Sequence, residues 1–80
     1  MRVVILPPFD REFFGGRERL DLLAPTLLAL VDALDREAPG FADNAELRVQ
    51  FAVDGVVEPD WTRPLTDARE VIALPRVGGG

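Results

Sequence analysis

Glu70-Val71-Ile72-Ala73-Leu74-Pro75-Arg76-Val77-Gly78-Gly79-Gly80 closes the chain, an apolar run that meets a proline and ends in three glycines. Glu70 to Leu74 reads as a strand, and Pro75, which has no N–H to give a ladder, terminates it and places the remaining tail outside the sheet. Glycine lacks a Cβ and reaches all of backbone space, so such a tail can pass through a narrow channel and present an unhindered carboxylate to another protein's active site. A frayed end or flexible linker has the same composition. On the glycines alone the two readings stand about level, and the rest of the chain has to decide.

Working back from that strand, Arg2-Val3-Val4-Ile5-Leu6 is a second apolar run, stopped by Pro7-Pro8, and reads as a central strand buried on both faces. Phe9 to Gly16 fits one helical turn or a compact loop with a glycine stop. Arg17 to Leu22 alternates, with Leu20 and Leu22 on one face and Arg19 and Asp21 on the other, as a half-buried strand does. The double glycine before it suits a hairpin with the first strand. Leu27, Leu30, Val31, Leu34 and Ala38 keep helical spacing behind Thr26 as N-cap, and Pro39-Gly40 stops them. That stripe is read as core. Phe41 to Glu46 is expected to be a polar connector, Leu47 to Val53 a strand, Asp54-Gly55 a two-residue hairpin turn, and Val56 to Glu58 a short return strand. Trp61 and Leu65, in the loop from Asp60 to Asp67, are available to cover an edge of the core.

The order strand, strand, helix, strand, short strand, strand predicts an α+β domain of the β-grasp kind: a mixed sheet, one main helix across it, and the last strand beside the first. Residues 1–75 form the domain and residues 76–80 the flexible C-terminal tail. Eighty residues with 48% hydrophobic content suit one small core, since a chain of this size buries about 60 to 65% of its unfolded surface. With no cysteine to form disulfides, regular structure must supply the stability, and a reducing, cytoplasmic setting fits best. No signal peptide is evident, and no apolar run approaches the roughly 20 residues of a membrane span.

The chain has no Cys, His, Ser, Tyr or Lys, which removes the usual general bases and covalent nucleophiles. Carboxylates, arginines and three threonines remain, so a stand-alone enzyme is not expected. No Cys/His zinc pattern or calcium loop is present, so no metal and no bound cofactor are expected. The net charge of −5 opposes attraction to phosphates and argues against nucleic acid. It suits docking on a basic patch of another protein.

Pro64-Leu65-Thr66-Asp67-Ala68-Arg69-Glu70-Val71 and the ending through Pro75 and Gly80 resemble the "PL-x-D-G-D-E-V" turn and "P-P-V-x-G-G" tail of the ubiquitin-like sulfur carriers. The likeness is greatest to the small subunit of molybdopterin synthase and its relatives in thiamine-type sulfur transfer. Arg11-Glu12-Phe13-Phe14-Gly15 is similar to that family's "R-E-x-x-G" segment, and the resemblance covers essentially the whole chain. It implies that an E1-like activating enzyme uses ATP and Mg²⁺ to adenylate the Gly80 carboxylate, which a sulfur donor then converts to a thiocarboxylate. Gly79 and Gly80 match residue by residue, and Gly78 adds flexibility.

Three departures stand out: Arg76 stands where the ending usually has its second proline, Asp67-Ala68-Arg69 lacks the glycine of the usual turn, and Arg69 takes the place of an aspartate in that turn. Added positive charge there is expected to select the partner, so thiamine, cysteine, tRNA or a specialised metabolite are also open as acceptors, behind molybdopterin as the first choice. Expected partner contacts are Leu74, Arg76 and Val77, with Arg11 suggested by resemblance, and a larger synthase subunit is a possible second partner. The core is the competing reading for Leu74. Two other functions compete: a protein modifier conjugated through Gly80, and a β-grasp interaction module that binds through a sheet face or Trp61.

Overall fold

The computed structural model describes residues 1–76. In chain order these form β1 (Arg2–Ile5), α1 (Phe9–Phe13), β2 (Arg19–Asp21), α2 (Leu27–Glu37), α3 (Phe41–Arg48), β3 (Val49–Val53), β4 (Val56–Val57) and β5 (Glu70–Pro75). The strands make one sheet in the order β2-β1-β5-β3-β4. β5 lies in the middle, parallel to β1 with Val3 opposite Val71 and Ile5 opposite Ala73, and antiparallel to β3 with Phe51 opposite Ala73. The last strand therefore sits beside the first, as the β-grasp reading requires.

Local chemistry accounts for most of these elements. Asp54 and Gly55 both take positive φ, +47° and +87°, the backbone that a two-residue turn matched to sheet twist demands. Val53 then pairs with Val56. α2 begins where Thr26 Oγ1 accepts the Ala29 amide at 3.1 Å. Leu27, Leu30, Val31 and Leu34 of α2 are buried together with Val3 and Ile5 of β1, Val49 and Phe51 of β3, and Val71 and Ala73 of β5. Each large apolar side chain so buried contributes about 1.5–3 kcal/mol. Phe13 and Phe14 both meet the Phe41 ring edge-on at 5.5 Å. Phe51 packs on Trp61 at 5.3 Å, and Leu65 is buried beneath its loop.

Three expectations are corrected. Phe41 to Glu46 is not a connector but most of α3, and Leu47 and Arg48 belong to that helix and not to β3. α3 buries just Phe41 and Ala45, too few apolar positions to mark a period. Its amides are capped from the preceding helix, where the Asp35 carboxylate accepts from Gly40 (3.1 Å) and Ala42 (3.0 Å). β1 is an interior strand, between β2 and β5, but buried on one face: Val3 and Ile5 are enclosed, Val4 is half-buried and Arg2 is exposed. Pro75 is itself the last residue of β5, opposite Val49, where its missing N–H costs no bond to β3, because the next bond on that side is made by the Arg76 amide.

Candidate functional site

The point where the chain leaves the sheet is held by three hydrogen bonds, two to the end of α3 and one from β3. The Arg76 amide donates to the Arg48 carbonyl at 3.0 Å, extending the β3–β5 ladder one step beyond Pro75. Gln50 Nε2 donates to the Pro75 carbonyl at 3.4 Å. Arg76 Nε donates to the Glu46 carbonyl at 3.0 Å. Glu46 and Arg48 are in the final turn of α3, whose last carbonyls have no partner within the helix.

α1 is tied to the same place. Arg48 forms a two-pronged ion pair with Glu12 (2.8 and 2.7 Å), and its guanidinium lies 5.3 Å from the centre of the Phe9 ring. Chiefly through these hydrogen bonds, and further through its charge, Arg48 holds the Glu12 carboxyl below the usual glutamate range. In return, Glu12 raises Arg48. Pro8, Phe9, Leu47, Arg48, Pro75 and Arg76 line an open groove around the root of the tail. Leu47 stands 81% exposed beside it.

The second surface is the sheet face turned away from the helices. Cross-strand register places Val4, Ile72, Ala52 and Val57 in one row and Leu74 next to Gln50. Val4, Ile72 and Leu74 are half-buried and Val57 is exposed. An ion pair between Arg2 and Glu70 at 2.8 Å borders the row. Leu74 thus belongs to this face and not to the core. The sequence reasoning missed the row because apolar residues on both faces of β1 and β5 read as two-sided burial. The useful signal was that the chain has too few helical apolar stripes to cover both faces.

Of the expected contact residues, Leu74 and Arg76 adjoin the root of the tail on different surfaces, the open face and the groove. Arg11 is exposed on α1, is not among the residues lining the groove, and uses its amide to cap on Asp10 Oδ1 at 2.9 Å. Val77, Gly78, Gly79 and Gly80 lie outside the described residues. The turn without its usual glycine forms without strain at Ala68, since Asp54 is the one non-glycine residue of positive φ among the described residues. No helix among the described residues is long and apolar enough to cross a membrane.

This architecture, a mixed five-stranded sheet gripping its helices with the last strand beside the first, is the ubiquitin-like β-grasp fold. Among solved structures, that of Mycobacterium tuberculosis CysO, an antigen, superposes with a TM-score of 0.78 over 95% of this chain and 98% of CysO, at 19% sequence identity. At that identity the likeness carries the fold, and function has to be argued from the site. No family model matches the chain, and no curated protein matches it.

Proposed function

We propose that this chain is a sulfur carrier, acting through the carboxylate of Gly80 as the substrate of partner enzymes and not as an enzyme itself. The observation that carries the reading is the placement of the tail's root. The strand leading into Gly78-Gly79-Gly80 is the central one of a β-grasp sheet, and its end is fixed at Arg76 by the Arg48 and Glu46 carbonyls. A rigid body that ends in residues without side chains suits delivery of a carboxylate into another protein's enclosed site.

In the proposed sequence, a Gly80 carboxylate oxygen attacks the α-phosphorus of ATP on an E1-like activating enzyme. Pyrophosphate leaves and an acyl-adenylate forms, with Mg²⁺ held by that enzyme neutralising the phosphates. A sulfide-level donor then attacks the acyl carbon and AMP departs, leaving a thiocarboxylate. The sulfur of that group is the nucleophile toward the final acceptor. No residue of this chain performs acid–base work, in keeping with its lack of Cys, His, Ser and Lys. Its own contribution is position: the row Val4, Ile72, Ala52 and Val57 with Leu74 forms the docking face, and Arg76 and the glycines direct the tail.

The molybdopterin-type pathway is the preferred acceptor, on the resemblance of Pro64–Val71 and of the tail, with the carrier as the small subunit beside a larger synthase subunit. The modifier reading shares the activation step and parts from this one at whether sulfur or an amine takes the acyl group. The test is adenylation itself. With a cognate activating enzyme, ATP and Mg²⁺, pyrophosphate release should depend on this chain and vanish on deletion of Gly80. Release that persists without Gly80 would refute the reading.

A further inference from the structure

We infer that Arg76 is a positioning residue that fastens the root of the tail to α3 and so fixes the point from which Gly80 reaches. The backbone amide and Nε of this one residue satisfy two carbonyls of the last turn of α3, those of Arg48 and Glu46, both at 3.0 Å. Those carbonyls have no partner within the helix, and the negative end of the helix dipole favours a cation there. A hydrogen bond and a charge–dipole attraction therefore act on the same side chain. A proline at this position would supply neither donor. The anchor is itself braced, because Arg48 is gripped by both oxygens of Glu12 and by Asn44 Oδ1 at 3.3 Å.

The geometry has a consequence for the partner, which rests on the carrier reading. With Arg76 fastened, residues 77–80 alone supply the reach, at most about 13–14 Å when fully extended. The activating enzyme must accordingly bring its nucleotide site within that distance of the groove at Leu47, Arg48 and Arg76. Releasing Arg76 adds its backbone freedom to what adenylation has to order, a penalty of roughly tenfold in KM for the carrier, with kcat unchanged.

Amide hydrogen exchange on the full chain, wild type and Arg76→Ala, tests the clamp without any partner. Protection of the residue-76 amide, corrected for intrinsic rate, should fall roughly tenfold, while Ile72 and Phe51 keep theirs. Unchanged protection at residue 76 overturns the clamp. Adenylation kinetics at low and high salt then separate positioning from docking charge. A KM ratio of variant to wild type that stays near tenfold in both supports positioning, whereas a ratio that collapses toward one at high salt shows Arg76 to be a screened docking charge and overturns it. A wild-type chain that shows the exchange contrast but is never adenylated supports the clamp and overturns the carrier reading, so the two failures are distinct.

Discussion

Asp54 and Glu70 bond to each other in both directions: the Asp54 carboxylate accepts the Glu70 amide at 2.9 Å, and the Asp54 amide donates to the Glu70 carbonyl at 2.9 Å. The same carboxylate accepts the Arg69 amide at 3.0 Å. The β3–β4 turn therefore holds the start of β5, the strand on which the tail depends. Asp54→Ala removes the acceptor and puts alanine at φ +47°. The expected cost is about 2 kcal/mol, or about 10 °C in Tm for a domain of this size. Asp54→Asn tolerates the left-handed backbone and still accepts, and should lose less than half as much. A negligible loss for Asp54→Ala in thermal melts would show that the carboxylate bonds contribute nothing.

The bond between Glu12 and Arg48 gives stability a defined pH dependence. The carboxyl of Glu12 is held below its ordinary value by Arg48, so its contribution is fully present above the unfolded-state value and is lost as pH falls through the lower folded one. Wild type should exceed Glu12→Gln in stability at neutral pH, and the gap should narrow as pH falls below the ordinary glutamate range. Denaturant titrations of both proteins across that range check it. A gap independent of pH would contradict the assignment.

Thr26 caps α2 through Ala29, and Leu34 is wholly buried beneath the same helix. Thr26→Ala should cost about 1 kcal/mol, and Leu34→Ala about 2–5 kcal/mol. Trp61, the single tryptophan, lies against Phe51 and gives a fluorescence signal for both unfolding transitions. A Thr26→Ala loss larger than that of Leu34→Ala would invert the ranking.

On the open face, Ile72→Asp places a charge in the centre of the apolar row opposite Val4 and Ala52. The fold should survive, because Ile72 is half-buried on the side away from the core. Affinity for the activating enzyme should fall by about 2 kcal/mol, roughly thirtyfold. Unaltered affinity with intact circular dichroism would remove this face from the docking account.

Much of the fold was legible because its signals are local. Thr26 with the Leu27–Leu34 stripe, the Asp54-Gly55 turn and the alternation at Arg19–Asp21 each decide their own backbone. α3 was not legible: its cap, Asp35, belongs to the previous helix, and Phe41 and Ala45 are its sole buried positions. The docking face was hidden for a related reason, since a valine at Val4 looks the same in sequence whether a helix covers it or solvent does. In sequence Arg76 reads as a partner-facing charge, because its bond to the Glu46 carbonyl depends on the C-terminus of α3, which no local signal marks.

The most direct test of the central claim is the intact mass of the chain after incubation with ATP, Mg²⁺, its activating enzyme and a sulfide source. A mass change equal to one oxygen exchanged for sulfur, absent when Gly80 is deleted, is the predicted result. An unchanged mass, with pyrophosphate release showing the enzyme to be active on this chain, would contradict the sulfur-carrier account and leave the modifier reading in its place.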